Sequence, residues 1–382
     1  MSEETGIEWT AWRDSDGDLR PGYTWNPWRG CEEVPGHPGC AHCYARELVD
    51  RGRLRGTHVK ELRKTDPATP DDVRLWGHGA PRVRASEEMR NAPLRWNAAA
   101  EARLRVWQAY DGALRKRRPE RPRVFLGSLM DLFDEAIPIE WRVEAMRVVR
   151  ACDGLTWIVA TKRAQRFRKV LAECQEHAAA NGLPDLALWL EAWRDFGRIP
   201  PNVWLLASVS DKRTLARVAE NLVDLPFVVR GLSVEPMLAE VDLERVDLGD
   251  AGTFDLLGGR IGVEGRGWVE GRWSKGRGVD WVIVGGESGP GARAFPVIEG
   301  LALVEACQRA KVPVFVKQLG RRPYVANMNL LDFDREPVTE VAPNSPEAAG
   351  AFLVLSHKKG GNVDEWPDQL KVRQFPEEVS GV

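Results

Sequence analysis

The sequence has no run of about eighteen apolar residues, so no segment is suited to crossing a bilayer as a helix. Its first residues, MSEETGIEWT, lack the basic start and apolar stretch of a secretory signal. A cytoplasmic protein with no membrane attachment is therefore expected. No charge of one sign predominates: 54 basic residues stand against 56 acidic ones, for a formal charge of −2. That balance by itself argues neither for nor against nucleic acid. Internal repeats and long low-complexity tracts are also missing. Cysteine is scarce, with six in 382 residues. In a reducing compartment such thiols, where they cluster, are more often metal ligands or catalysts than disulfides.

Tryptophan, by contrast, is abundant at sixteen residues, and large aromatics of this kind mostly build cores or line grooves. Short apolar runs recur after residue 120. They predict strands near 124–127, 156–160, 203–207, 228–232, 281–285 and 313–317, each rich in Val, Ile, Phe or Trp as buried parallel strands are. TWNPW at 24–28 predicts a first strand. Helical spacing follows most of the runs. Leu215, Val218, Ala219 and Leu222 share one face, with Ser210 or Asp211 as the cap. Alternating strands and helices imply a parallel sheet, here an α/β fold: a (β/α) barrel or partial TIM-like barrel whose closure is incomplete.

The barrel is expected over residues 1–320. Insertions fall at about 44–120, with a helix near 94–116, and at 238–279, where glycines and alternating Val, Trp and Arg suggest a hairpin or mobile loop. Turn-rich residues 321–382 form an extension packed on the barrel. Cys152, Cys174 and Cys307 fall on apolar helix faces and are read as core.

Polar residues gather at the C-terminal ends of the strands, where barrel enzymes keep their active sites. They are Ser128 and Asp131; Thr161, Lys162 and Arg163; Ser208 and Ser210; Ser233 and Glu235; Glu287 and Ser288; Lys317 and Gln318. The remaining cysteines lie at the same end, in the loop after TWNPW: Cys31, Cys40 and Cys43, spaced Cys-x8-Cys-x2-Cys. Two metal readings are open. Zinc would take His37 or His42 as a fourth ligand, and a [4Fe–4S] cluster would leave one iron free for a substrate or cofactor.

Two basic stretches, RGRLRGTHVKELRK (51–64) and RKRRPERPR (115–123), keep a nucleic-acid partner in view. The alternative to an enzyme is a zinc-stabilised nucleic-acid-binding or partner-recruiting barrel without catalysis.

A three-thiol loop at the mouth of a barrel resembles the radical S-adenosylmethionine (SAM) enzymes. Their usual spacing is Cys-x3-Cys-x2-Cys, with an aromatic residue before the last cysteine. Here His42 stands in that place, and the first gap is longer. The segments GIEWT, TWNPWRGC, GCAHCYA, RVFLGSLMDLF, ATKR, NVWLLASVS, LSVEPML, DWVIVGGESGPGAR, VFVKQLG and KKGGNVDEWPDQLKVRQFP together resemble a phage and bacterial three-cysteine family of unknown function (domain of unknown function family 5131). That family is often described as radical-SAM-like.

The resemblance runs from Ile7 to about Pro376. It implies a cluster on Cys31, Cys40 and Cys43, and a three-Cys-motif partner protein. Toward SAM, the candidate contacts are His42, Ser128, Asp131, Lys162, Arg163, Ser208 and Ser233. Gly285 and Gly286 would allow close backbone approach to the cofactor or substrate. Glu235, Glu287 and Lys317 are the candidate catalytic groups, and Asp131 or Glu235 would receive the cofactor's amino group. A nucleobase or nucleic acid is the substrate class in view.

Overall fold

The computed structural model describes residues 4–49, 52–110, 117–249, 252–263, 267–270, 278–289, 291–334, 337–341 and 350–377. Its centre is a seven-stranded parallel sheet: β1 (Tyr23–Trp25), β2 (Arg123–Leu126), β3 (Thr156–Thr161), β4 (Val203–Val209), β5 (Val229–Val234), β6 (Trp281–Gly285) and β7 (Val314–Gln318). Each strand pairs with the next in the chain, and the sheet curls into a TIM-like half-barrel. The seven expected strands are all present, within one to three residues of the expected ends.

Burial on both faces explains the continuous apolar runs. In β4 all seven residues are buried. The outward residues Val203, Leu205, Ala207 and Val209 join a core with the surrounding helices. Those helices are α4 (Glu87–Ala109), α5 (Ile139–Ala151), α6 (Phe167–Ala180), α7 (Pro184–Asp195), α8 (Lys212–Leu222) and α9 (Val297–Arg309). Three shorter helices precede them: α1 (Pro38–Ala41), α2 (Tyr44–Val49) and α3 (Gly52–Leu62). Cys152, Cys174 and Cys307 are fully buried, as their spacing implied.

The inward residues divide along the strand axis. At the N-terminal end Phe125, Ile158, Trp204, Leu206, Val229, Trp281, Ile283 and Phe315 form a second core with Trp9. Phe375 reaches this core from the C-terminal segment, its ring 5.4 Å from that of Phe315. Arg123 is buried there too, its guanidinium 4.7 Å from the Phe375 ring centre.

The sheet stays open because both edges are covered by other parts of the chain. Glu4 bridges to Tyr23 on β1, and Arg373 bridges to Phe315 on β7, both antiparallel. Val316 N–H also donates to Val372 O, and Gln374 N–H to Val314 O. Covered edges do not recruit further strands. Arg373 and Glu8 form an ion pair at 2.8 Å, joining the two terminal segments.

Three expectations shift. The helix expected near 94–116 is α4, which begins earlier because Ser86 accepts a hydrogen bond from Met89 N–H; residues 111–116 lie outside the described residues. Between β5 and β6 no α-helix is seen among the described residues. An antiparallel sheet of Val246–Asp247, Thr253–Asp255, Arg260–Val263 and Gly267–Glu270 takes its place, its last two strands forming the expected hairpin. Finally, Ala351–Leu353 pairs with both Pro323–Val325 and Thr339–Val341 in a small sheet that also holds Phe295–Pro296. Among the described residues no helix is long and apolar enough to cross a membrane.

Candidate functional site

The loop carrying Cys31 and Cys40 leaves the first strand at TWNPW and crosses the C-terminal end of the sheet. It is held mainly through its own carbonyl groups. Arg163, just past β3, donates to Glu32 O at 2.7 Å. From α8, Arg217 donates to Pro35 O at 3.2 Å and Arg213 to Gly36 O at 2.5 Å. Arg293, in the segment after β6, donates to Pro38 O at 3.0 Å. Four guanidinium groups from three parts of the half-barrel thus satisfy carbonyls of a single loop.

His37 adds a fifth tie. It caps α1, Nδ1 accepting from Gly39 N–H at 3.1 Å, and its Nε2–H donates to Ser208 O at 3.1 Å at the end of β4. Burial, with the nearby Lys162 charge, pushes its pKa down to about 4, which agrees with a neutral ring bonded through both nitrogens. Both ring nitrogens of His37 are therefore engaged by the chain itself. His42 is exposed and faces the loop after β6, close to Gly291 and Glu287.

The three thiols all lie within electrostatic reach of Lys162. Burial acts to lower the ammonium's pKa, but Cys43, Cys40, Cys31 and then Asp131 raise it above its usual value. Burial and Asp131 push the Cys31 thiol up to about 12, although Arg163 Nη1 lies 3.5 Å from its sulfur. Burial likewise raises Cys40. Among the described residues no three His, Cys, Asp or Glu side chains are drawn together tightly enough to hold a metal ion. Beneath the thiols lies a small core of Ala45, Val49, Leu75, Trp76 and Val83, against which Cys31 and Cys43 pack.

Asp131 and Arg163 stand together at this rim but are bound to the protein. Asp131 accepts from Thr161 Oγ1 (2.8 Å), Phe133 N–H (2.9 Å), Lys162 N–H (3.1 Å) and Arg163 Nη1 (3.1 Å). These bonds fill the carboxylate's lone pairs, so Asp131 serves to position Arg163 and the Cys31 loop. Glu287 is buried in a fork with Arg293, accepting from its backbone N–H and guanidinium. Burial alone would raise the pKa of Glu287, but Arg293 holds it below the ordinary carboxylate value. Ser128 Oγ accepts from Asn26 Nδ2 at 2.7 Å, while Asn26 Oδ1 accepts from Leu129 N–H.

What remains toward the hollow of the half-barrel is small or charged. Strand alternation puts Ala160, Lys162, Ser208, Gly231, Ser233, Glu235, Gly285 and Lys317 on the inner face, above the aromatic core. Glu235 and Lys317 are paired across it and only half-buried. Tyr44 lies at its edge, donating to Ser128 O at 2.8 Å; desolvation, Cys43 and Glu235 raise its pKa. Gly285 lies beside the Glu235 carboxylate. Gly286 is glycine for another reason than the one expected: a Cβ there would meet Leu319 O at 2.3 Å. The close approach that it permits is to the chain's own backbone.

Sequence reading did not single out Asn26, Tyr44, Arg213, Arg217 or Arg293. Each acts over a separation that local spacing cannot register, although Asn26 lies inside the TWNPW run.

Together these features define a partial TIM-like barrel of the α/β class with a thiol-bearing loop clamped across its C-terminal rim. The chain belongs to the DUF5131 family, described as a protein of unknown function, whose model matches residues 4–359. No significant match was found among curated proteins or solved structures.

Proposed function

We propose that the chain is a radical-SAM-like iron–sulfur enzyme working at the C-terminal end of the half-barrel. The placing of Cys31, Cys40 and Cys43 at one rim of the half-barrel, all within electrostatic reach of Lys162 and with His37 engaged by two hydrogen bonds, carries this reading. Three thiols without that imidazole suit a [4Fe–4S] cluster with one open iron, whereas a closed zinc site would have to take its fourth ligand from His42. Cys31, Cys40 and Cys43 would hold the cluster. When bound, it would supply an electron for reductive cleavage of SAM and an iron for the cofactor's amino and carboxylate groups.

The chain's own groups divide the remaining work. Lys162 and Arg163 offset the negative charge of the thiolates. Glu235 and Lys317, opposite charges already side by side, can separate to take the amino and carboxylate ends of a zwitterion. Ser208 and Ser233 offer hydroxyls for a ribose, and the small residues beside them leave it room. The aromatic core below excludes water from that side. A nucleobase, free or in nucleic acid, is the substrate class we propose, and a partner protein of the three-Cys-motif kind belongs to the same reading.

The test is anaerobic reconstitution followed by iron, sulfide and zinc analysis. The expected protein is brown, with about four irons per chain. Under strong reductant it forms 5′-deoxyadenosine and methionine from SAM. Stoichiometric zinc without sulfide would overturn the cluster. A cluster-replete protein that neither binds SAM nor yields 5′-deoxyadenosine would overturn the enzyme.

A further inference from the structure

At the opposite end of the half-barrel, where β2 and β3 begin, the surface carries a cleft of about 940 Å³. Its walls come from α4, the segment before β2, the turn before β3 and the C-terminal segment. Seven arginines line it against four carboxylates, in a chain whose formal charge is −2. The basic run noted in the sequence supplies Arg117, Arg118 and Arg121; Arg115 and Lys116 lie outside the described residues. Arg118 is exposed and makes no ion pair or side-chain hydrogen bond among the described residues. Arg103 stacks on Trp12 with its guanidinium carbon 5.0 Å from the ring centre, which holds the fork in place.

A second groove, of about 460 Å³, adjoins this cleft and shares Arg103 and Pro119 with it. Its apolar wall is Val106, Trp107 and Tyr110 from the last turns of α4 and the residue after it, and Asp14, held by Arg20, and Ser15 close the other side. Tyr110 is 57% exposed and Val106 60% exposed, high values for such side chains. Guanidinium groups thus sit directly beside exposed aromatic and apolar surface. Arginines neutralise phosphates, while aromatic faces stack on unpaired bases. A duplex keeps its base faces inside and would leave the aromatic groove unused.

We propose that this double groove binds single-stranded nucleic acid, at the end of the half-barrel remote from the thiols. The site is independent of any metal at the other end. Affinity should fall with salt as about 0.7 log units per log unit for each phosphate contacted.

The probe is a fluorescein-labelled single strand of roughly 20 nucleotides, a length that covers one or more sites of this kind. Fluorescence anisotropy with the full chain reads its binding. Arg118→Glu and Tyr110→Ala change exposed side chains and should leave the melting temperature unchanged. Each is expected to weaken binding about tenfold, the loss of one phosphate contact or one stacked base. Cys40→Ala should bind like the unaltered chain. The proposal is overturned if the strand does not bind, if a duplex of the same length binds as well with Tyr110→Ala silent, or if Cys40→Ala alone abolishes binding.

Discussion

One sheet is finished in two different ways. At the N-terminal ends of its strands the inner face is filled by aromatic rings, with Trp204 and Trp281 6.1 Å apart and Trp9 and Phe375 closing over them. At the C-terminal ends the same alternating positions hold serine, glycine and alanine, with charged groups above. The first arrangement excludes water and stabilises; the second leaves space and chemistry. Barrel folds commonly divide stability and activity between their ends in this way. In this chain the division is made by side-chain size along each strand, with no change in backbone pairing.

The comparison can be broken most severely at the thiols. If the proposed cluster is present, changing Cys31, Cys40 or Cys43 singly to Ala should remove it, taking iron from about four per chain to near zero. A full iron complement in Cys40→Ala would mean that the ligands are misassigned. The opposite end should respond in stability rather than metal. Trp281→Ala is expected to cost about 3–5 kcal/mol in urea unfolding while leaving the iron content of the folded fraction unchanged.

Acid should act on the thiol end through a different group. His58 is fully buried in α3, and burial and Arg29 push its pKa down to about 4, against the opposing effect of the Val49 backbone. The unfolded chain, with a pKa of 6.5, binds the proton that the folded chain refuses. Stability present above pH 6.5 is therefore lost as pH falls toward 4, by up to about 3 kcal/mol. Unfolding midpoints measured between these pH values should flatten in His58→Leu.

Glu235→Ala and Lys317→Ala should each weaken SAM binding by about 1.5–3 kcal/mol in calorimetry while iron content holds. An unchanged affinity in both would remove that pair from the cofactor site. The smallest effect belongs to Cys174→Ala, a loss of about 1 kcal/mol from a trimmed core with no change in iron.

Much of the scaffold was legible in the sequence because it is local. Buried strands announce themselves as short runs of Val, Ile and Trp, and their order in the sheet follows their order in the chain. The thiols were legible too, as a cluster of a scarce residue. The exact helix ends and the small sheet between β5 and β6 were less so, since caps and edge pairing override periodicity. Roles at the rim were the hardest to read. Asp131 and Glu287 stand at strand ends like free carboxylates, yet each is engaged by an arginine. Gly286 looks like ligand clearance and serves the chain's own turn. His37, one of two histidines read as a possible ligand, has both ring nitrogens engaged in the clamp. These assignments depend on partners 30 or more residues away, or on which neighbour reaches a group first, and no spacing encodes that.

The clamp on the cysteine loop has a consequence in time as well as space. The thiols belong to the first 43 residues, but the groups that grip their loop are Arg163, Ser208, Arg213, Arg217 and Arg293. During synthesis the ligands would emerge long before their fixtures. At a rate of about 5–20 residues per second, roughly 250 further residues correspond to a delay of tens of seconds or less. Through that interval the three cysteines are exposed without a frame to space them. Iron delivered early would meet a loose peptide. Iron delivered after β6 has joined the sheet would meet a fixed socket, so maturation of the proposed centre should follow completion of the barrel.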